Sequence, residues 1–271
     1  MKYWQYTLAF IFGLGIVIPE ERLLAEMVQH PAVVANAVRK LNFVPPPPPV
    51  DLGIPGDRTG AGRRGCIVNS NNPTIAAKQL TALVPVTRTP RSNVVWGLTT
   101  ATHPTFWFYV PYRAQDIHSA KFVLRTVDHQ LVYQTRVKLP ATHGVISLSL
   151  PPSVAALAVG KPYHWYFNIY CAERKPPVAV VHGWVQRTTI DTAVETQLAQ
   201  ATPQTRAEIY FARGIWYDAV TTLAKLHYHN PEDVNVAQNW TQVLEFVGLD
   251  AIASEPIASC CNPMQQVRSK F

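Results

Sequence analysis

Charged side chains are scarce in this 271-residue sequence, at 15% of the total against about a quarter in an ordinary globular chain. Acids are scarcest where strands are expected: only Asp116, Asp128 and Glu173 fall between residues 66 and 190. Glycoside hydrolysis needs two carboxylates facing each other across a sugar ring, and three acids in expected loops and turns speak against it. A serine hydrolase of the α/β kind lacks its G-x-S-x-G elbow. Neither C-x-x-C nor H-x-x-x-H spacing occurs, so zinc has no ligand set. No glycine-rich loop lies between a strand and a helix to cradle phosphate. The sequence therefore offers no catalytic residue, no metal ligand set and no cofactor site. Beyond its first eighteen residues no stretch is long and apolar enough to span a bilayer.

What is present begins with Met1-Lys2, a single positive charge, followed by the uncharged and mostly apolar Tyr6 to Ile18. Pro19-Glu20-Glu21 ends that stretch, and Leu23-Leu24-Ala25 offers a small-residue cleavage site. Residues 1–25 are read as a secretory signal, with an uncleaved membrane anchor as the alternative. Export to the periplasm or outer cell envelope follows, and it removes nucleic acid from the expected partners. Four cysteines in an exported chain allow three pairings. Cys260 and Cys261 are adjacent and would form only a strained ring together. Cys66 opens the expected folded region and Cys171 ends an apolar strand, so a Cys66–Cys171 bridge is expected, with two buried free thiols as the alternative.

Residues 26–65 read as a proline- and glycine-rich linker, largely disordered, with an amphipathic turn or two around Val33, Val34, Ala37, Val38 and Leu41. Pro45 to Pro49 force polyproline II at about 3.1 Å per residue. From Leu80 the pattern becomes short strands separated by turn residues. They are expected near 80–86, 94–99, 105–110, 120–128, 131–139, 144–150, 163–171 and 178–189. Ile146, Leu148 and Leu150 alternate with Ser147 and Ser149, as on a half-buried strand. Phe122 and Leu124 alternate with Lys121 and Arg125 in the same way, and Trp165, Phe167, Ile169 and Cys171 share one face. Eight strands without helices between them suit an antiparallel, immunoglobulin-like β-sandwich over 66–190.

After Asp191 the period turns helical. Asp191 is placed to cap one helix and Thr202-Pro203 to start a second, through Ala212. Gly214-Ile215-Trp216-Tyr217-Asp218-Ala219, closed by Asn230-Pro231, is similar to the second half of a tetratricopeptide repeat. A last helix runs from about Asp233 to Val247. The fold class is mainly β with this helical segment, 191–254, docked on the sandwich; 255–271 reads as a disordered tail.

Charge is unevenly spread. Residues 66–190 carry twelve bases against three acids, whereas residues 191–271 carry five bases against nine acids. A cationic surface suits anionic polymers such as wall glycans; the plainer reading is that the two segments pack together. The aromatics of 105–112 and 163–170 could stack on sugars, though filling the core is the commoner use. Of the nine histidines, only His164 and His182 fall where neighbouring strands could bring them together.

Leu80-Thr81-Ala82-Leu83-Val84-Pro85, Val95-Trp96-Gly97-Leu98-Thr99-Thr100 and Pro104 through Tyr112 resemble the cyanobacterial "domain of unknown function 928" family. So do Ile146 through Pro152, Gly160 through Phe167, Gly183-Trp184-Val185-Gln186-Arg187 and Gly214 through Ala219. The resemblance runs in order over about residues 66–260. It implies a cyanobacterial envelope or periplasmic setting and brings no activity or site residue with it. The expectation is an exported, non-catalytic module for protein interaction, its partner an envelope protein or an anionic wall polymer. A glycan-binding module and a hydrolase are the alternatives.

Overall fold

A computed structural model describes residues 43–49, 52, 56–60, 66, 78–90, 92–258 and 261, all within the compact unit 38–271. The signal or anchor expected over 1–25, most of the amphipathic turns expected before residue 44, Cys260 and residues 262–271 lie outside the described residues.

Among the described residues nine strands form two open sheets. They are β1 (Thr81–Ala82), β2 (Val86–Arg88), β3 (Asn93–Thr99), β4 (Thr105–Val110), β5 (Ser119–Thr126), β6 (Leu131–Val137), β7 (Gly144–Ser149), β8 (Pro162–Tyr170) and β9 (Ala179–Arg187). One sheet has the order β1-β4-β7 and the other β2-β3-β9-β8-β5-β6. Two expectations are corrected here. The single strand expected over 80–86 is two, because Pro85 has no N–H to give a ladder; β1 pairs with β4, and β2 pairs with β3 in the other sheet. The arrangement is also not wholly antiparallel, since β3 and β9 run parallel, Trp96 opposite Trp184. No hairpin joins these two strands, so nothing local forces them antiparallel.

The core lies between the sheets. Trp165, Phe167 and Ile169 on β8 and Phe122 and Leu124 on β5 are fully buried, and Phe108 stacks on Phe167 with ring centroids 4.5 Å apart. The other face of β4 is covered as well, which accounts for an unbroken buried run from Phe106 to Val110. There Trp107 Nε1 donates to Thr221 Oγ1 at 2.9 Å.

Four helices follow among the described residues: α1 (Thr192–Gln200), α2 (Pro203–Ala212), α3 (Trp216–His229) and α4 (Val234–Phe246). The starts of α1, α2 and α4 are written in side chains, whereas α3 has no side-chain cap. Asp191 accepts from the Val194 N–H, Thr202 from Thr205 with Pro203 at the first helical position, and Asp233 from Asn235 and Val236. Gly214 turns α2 into α3 at φ +69°, and a Cβ there would stand 2.6 Å from the Val44 carbonyl oxygen.

α3 seats on the sheets by its first turn. Trp216 Nε1 donates to Leu83 O at 2.8 Å, and Trp165 Nε1 donates to the Tyr217 hydroxyl at 2.8 Å. That hydroxyl in turn donates to Trp184 O at 3.1 Å. Gly97 makes the close approach possible, since a Cβ there would lie 3.1 Å from Trp216 Cβ.

Some described residues of the expected linker and tail are packed, Phe43, Leu52 and Gly60 among them, while Val44, Pro45 and Pro47 are exposed. Phe43 sets its ring edge-on against Phe211, Trp216 and Phe246. Asp57 bridges His182, and Thr59 bridges Thr81. Ile257 lies alongside Val145 in a parallel bridge.

Candidate functional site

With Trp165, Phe167, Val181 and Val185 turned to the core, alternation places their neighbours on the outer face of the six-stranded sheet. That face carries Lys121 and Arg125 of β5, Arg136 of β6, His164, Tyr166 and Tyr170 of β8, and His182 and Trp184 of β9. Two features stand on it.

The first is an open groove of about 390 Å³ lined by His118, Lys121, Arg136, Tyr170, Arg174 and Lys175, among others. Lys121 and Arg136 are direct cross-strand partners. Like charges so placed repel and destabilise a sheet. Arg174 adds a third base from the β8–β9 loop, where it holds φ +56°, a left-handed conformation uncommon for a side-chain-bearing residue. Among the described residues neither Lys121, Arg136, Arg174 nor Lys175 forms an ion pair. Glu173 is the acid in the lining. Cys171, at the root of this loop, is joined to Cys66 in a disulfide with 5.1 Å between Cα atoms.

The second is a polar chain that is buried at His164 and reaches the surface at Asp57. His164 Nε2 lies 2.9 Å from His182 Nδ1, and the Tyr166 hydroxyl 2.9 Å from His164 Nδ1. His182 Nε2 stands 3.6 Å from Asp57 Oδ2. A carboxylate only accepts, so Asp57 favours the proton on His182 Nε2. His182 Nδ1 then accepts from His164, and His164 Nδ1 accepts from the Tyr166 hydroxyl. The ring of His164 stacks on Trp184 at 4.1 Å. Burial, then the neighbouring His182, pushes His164 down to about 3, so the chain is neutral there. Burial also lowers His182, against the pull of Asp57.

The other residues singled out from sequence are scattered. Asp116 is held by Arg113 through two contacts of 2.9 Å, and the hydrogen bonds from that guanidinium lower its pKa despite some burial. Asp116 precedes β5 and Asp128 follows it, about 26 Å of strand apart. His103 binds Val154 O at 2.8 Å, and His143 faces Glu255 at 3.6 Å. His227 stacks on Trp240, while His229 is exposed. Among the described residues no three His, Cys, Asp or Glu side chains converge on one point, and no helix is long and apolar enough to cross a membrane.

The family model described as Domain of Unknown Function (DUF928) matches residues 59–257. The chain belongs to that family. No curated protein matches its sequence. The DUF928 region contains the whole cationic groove, both histidines and the disulfide, whereas Asp57 falls just before it.

Sequence reasoning missed the groove, although a signal for it was present. Lys121 and Arg136 are equidistant from the middle of the Asp128-His129 turn, so a tight hairpin there sets them opposite each other. The Arg174 loop comes alongside only once β8 pairs with β5, Tyr170 opposite Ser119.

Proposed function

We propose that this DUF928 chain is an exported, non-catalytic binding module of a cyanobacterial cell envelope, and that its groove takes an anionic wall polymer. The observation that carries the reading is the Lys121–Arg136 pair, two like charges set opposite each other without an acid partner. Such a pair costs stability in the free protein and is relieved by an anion. Tyr170 in the groove, with Tyr166 on the same face, supplies ring surface against which a sugar can lie. Export is supported by the Cys66–Cys171 disulfide, since such bonds persist in oxidising compartments. A protein partner is the second reading, favoured by the exposed apolar side chains Tyr228, Val234 and Phe246 in the last two helices.

The test uses immobilised polygalacturonate, with dextran as the neutral control. At an ionic strength of about 10 mM, where screening reaches only beyond about 30 Å, the protein is retained on polygalacturonate and passes through dextran. It elutes as salt rises. Lys121→Ser and Arg136→Ser each weaken retention by about tenfold while the melting temperature holds or rises. Equal retention on both matrices, or unchanged retention by both variants, refutes the polymer reading. Release of reducing ends from polygalacturonate would refute the non-catalytic one.

A further inference from the structure

A second cleft, of about 490 Å³, lies between α3, α4 and residues 253–257. It rests on no part of the anionic-polymer reading. Its lining combines Tyr228, Pro231 and Ile257 with polar side chains, of which His227, Trp240 and Glu255 are three. Each of those three carries a buried atom without a hydrogen-bond partner: His227 Nδ1, Trp240 Nε1 and Glu255 Oε2. Trp240 is 0% exposed, and an indole N–H buried unpaired costs stability. Glu255 is tied through its other oxygen to Lys78, and the Tyr109 hydroxyl and His143 Nε2, the latter at 3.6 Å, also face this carboxylate, whose remaining lone pairs can still accept. The cleft thus presents a donor, an acceptor and an imidazole nitrogen that can be either.

The adjoining backbone adds a second observation. Val145 donates to Pro256 O at 2.8 Å, and Ala258 donates to Val145 O at 2.8 Å. In a parallel bridge of this pattern the N–H and C=O of the middle residue, Ile257, point away from β7. Among the described residues neither finds a backbone partner. Among the described residues no strand therefore lies beyond Ile257, which lines the cleft.

We propose that this cleft binds an extended peptide segment of a partner protein, which adds to the Ile257 edge and gives an amide to the waiting indole N–H and carboxylate. A peptide unit carries one donor and one acceptor, the complement of Trp240 Nε1–H and Glu255 Oε2. Strand addition takes its affinity from such main-chain bonds and its selectivity from pockets for alternate side chains. Tyr228, Pro231 and Ile257 supply one such apolar pocket.

The probe is a pool of peptides acetyl-Ala-Val-Xaa-Val-Ala-amide, added to the ¹⁵N-labelled protein and followed by heteronuclear NMR. The Trp240 indole and Ile257 amide signals move saturably, while N-acetylglucosamine at equal concentration leaves them in place. Thr241→Phe fills the cleft from α4 and weakens binding by at least about tenfold. N-methylation of the peptide's central amides does the same to the unaltered protein, which frees the test from any folding defect in the variant. Signals that stay fixed up to about 5 mM peptide, near the weak end of measurable affinity, overturn the proposal. So do equal shifts with the N-methylated peptide, or shifts produced by the sugar instead.

Discussion

His164 shows how a single side chain can tie stability to pH. It is 1% exposed, with hydrogen-bond partners at both ring nitrogens, and its pKa sits at about 3 because burial and His182 oppose the charge. In the unfolded chain a histidine titrates near about 6.5. Between those values the unfolded state binds a proton that the folded state refuses, so stability is full above the upper value and falls as the medium is acidified. The slope attributable to one such group is about 1.4 kcal/mol per pH unit. His182, lowered chiefly by burial, acts in the same direction. Asp218 opposes both, because burial raises its pKa and stabilises the folded state as pH falls. Arg125 and Asp57 face the chain from either side without reversing its sign. His164→Gln keeps a hydrogen-bonding side chain that does not titrate. Urea denaturation at a series of pH values from neutral downward should give a flatter acid limb for this variant, by close to one proton; parallel curves would show that His164 titrates normally.

At the scale of elements, the seat of α3 depends on a carboxylate. Asp218 stands in the first turn of α3, where the helix dipole favours negative charge. It accepts from the Thr99 hydroxyl at 2.6 Å, the Thr100 hydroxyl at 2.6 Å and the Thr100 N–H at 3.1 Å. Asp218→Ala leaves those donors facing an apolar gap and should cost about 2–3 kcal/mol in denaturant unfolding. Asp218→Asn, which still accepts, should cost about 1 kcal/mol, and equal losses for the two would mean that the threonine bonds contribute little. The elements themselves were largely legible from the chain. The bounds of β4 are legible, and the caps Asp191 and Thr202 mark helix starts because each does a local job. Partnership was not legible in the same way. Which strand lies beside β3 is decided by contacts with β9, far along the chain, and no residue near Val95 encodes that choice. The groove was half-legible: the hairpin turn fixes Lys121 opposite Arg136, whereas Arg174 arrives through long-range pairing of β8. The cleft was illegible, because its orphan atoms are defined by what fails to reach them in three dimensions.

For the whole molecule, the disulfide and the charge pattern act on the same place. Cys66 and Cys171 are 105 residues apart in sequence, so their bond closes a loop that contains β1 to β8 and limits the unfolded chain severely. On the chain-entropy account a loop of that length is worth about 4.7 kcal/mol, within an observed range of about 2–5. Cys171 also begins the loop that carries Arg174 and Lys175 into the groove. Lys121, Arg136, Arg174 and Lys175, four of the twelve bases of residues 66–190, are thereby gathered beside the bond. Cutting the bond should act twice. The Cys66→Ser/Cys171→Ser pair should lower the denaturation midpoint by an amount in that range, and should also weaken retention on polygalacturonate under conditions where circular dichroism shows the protein still folded. The second effect separates two roles for the disulfide. If the variant is less stable yet is retained as strongly as the parent, the bond serves the fold alone, and the Arg174 loop keeps its place through β8 and β9 without it.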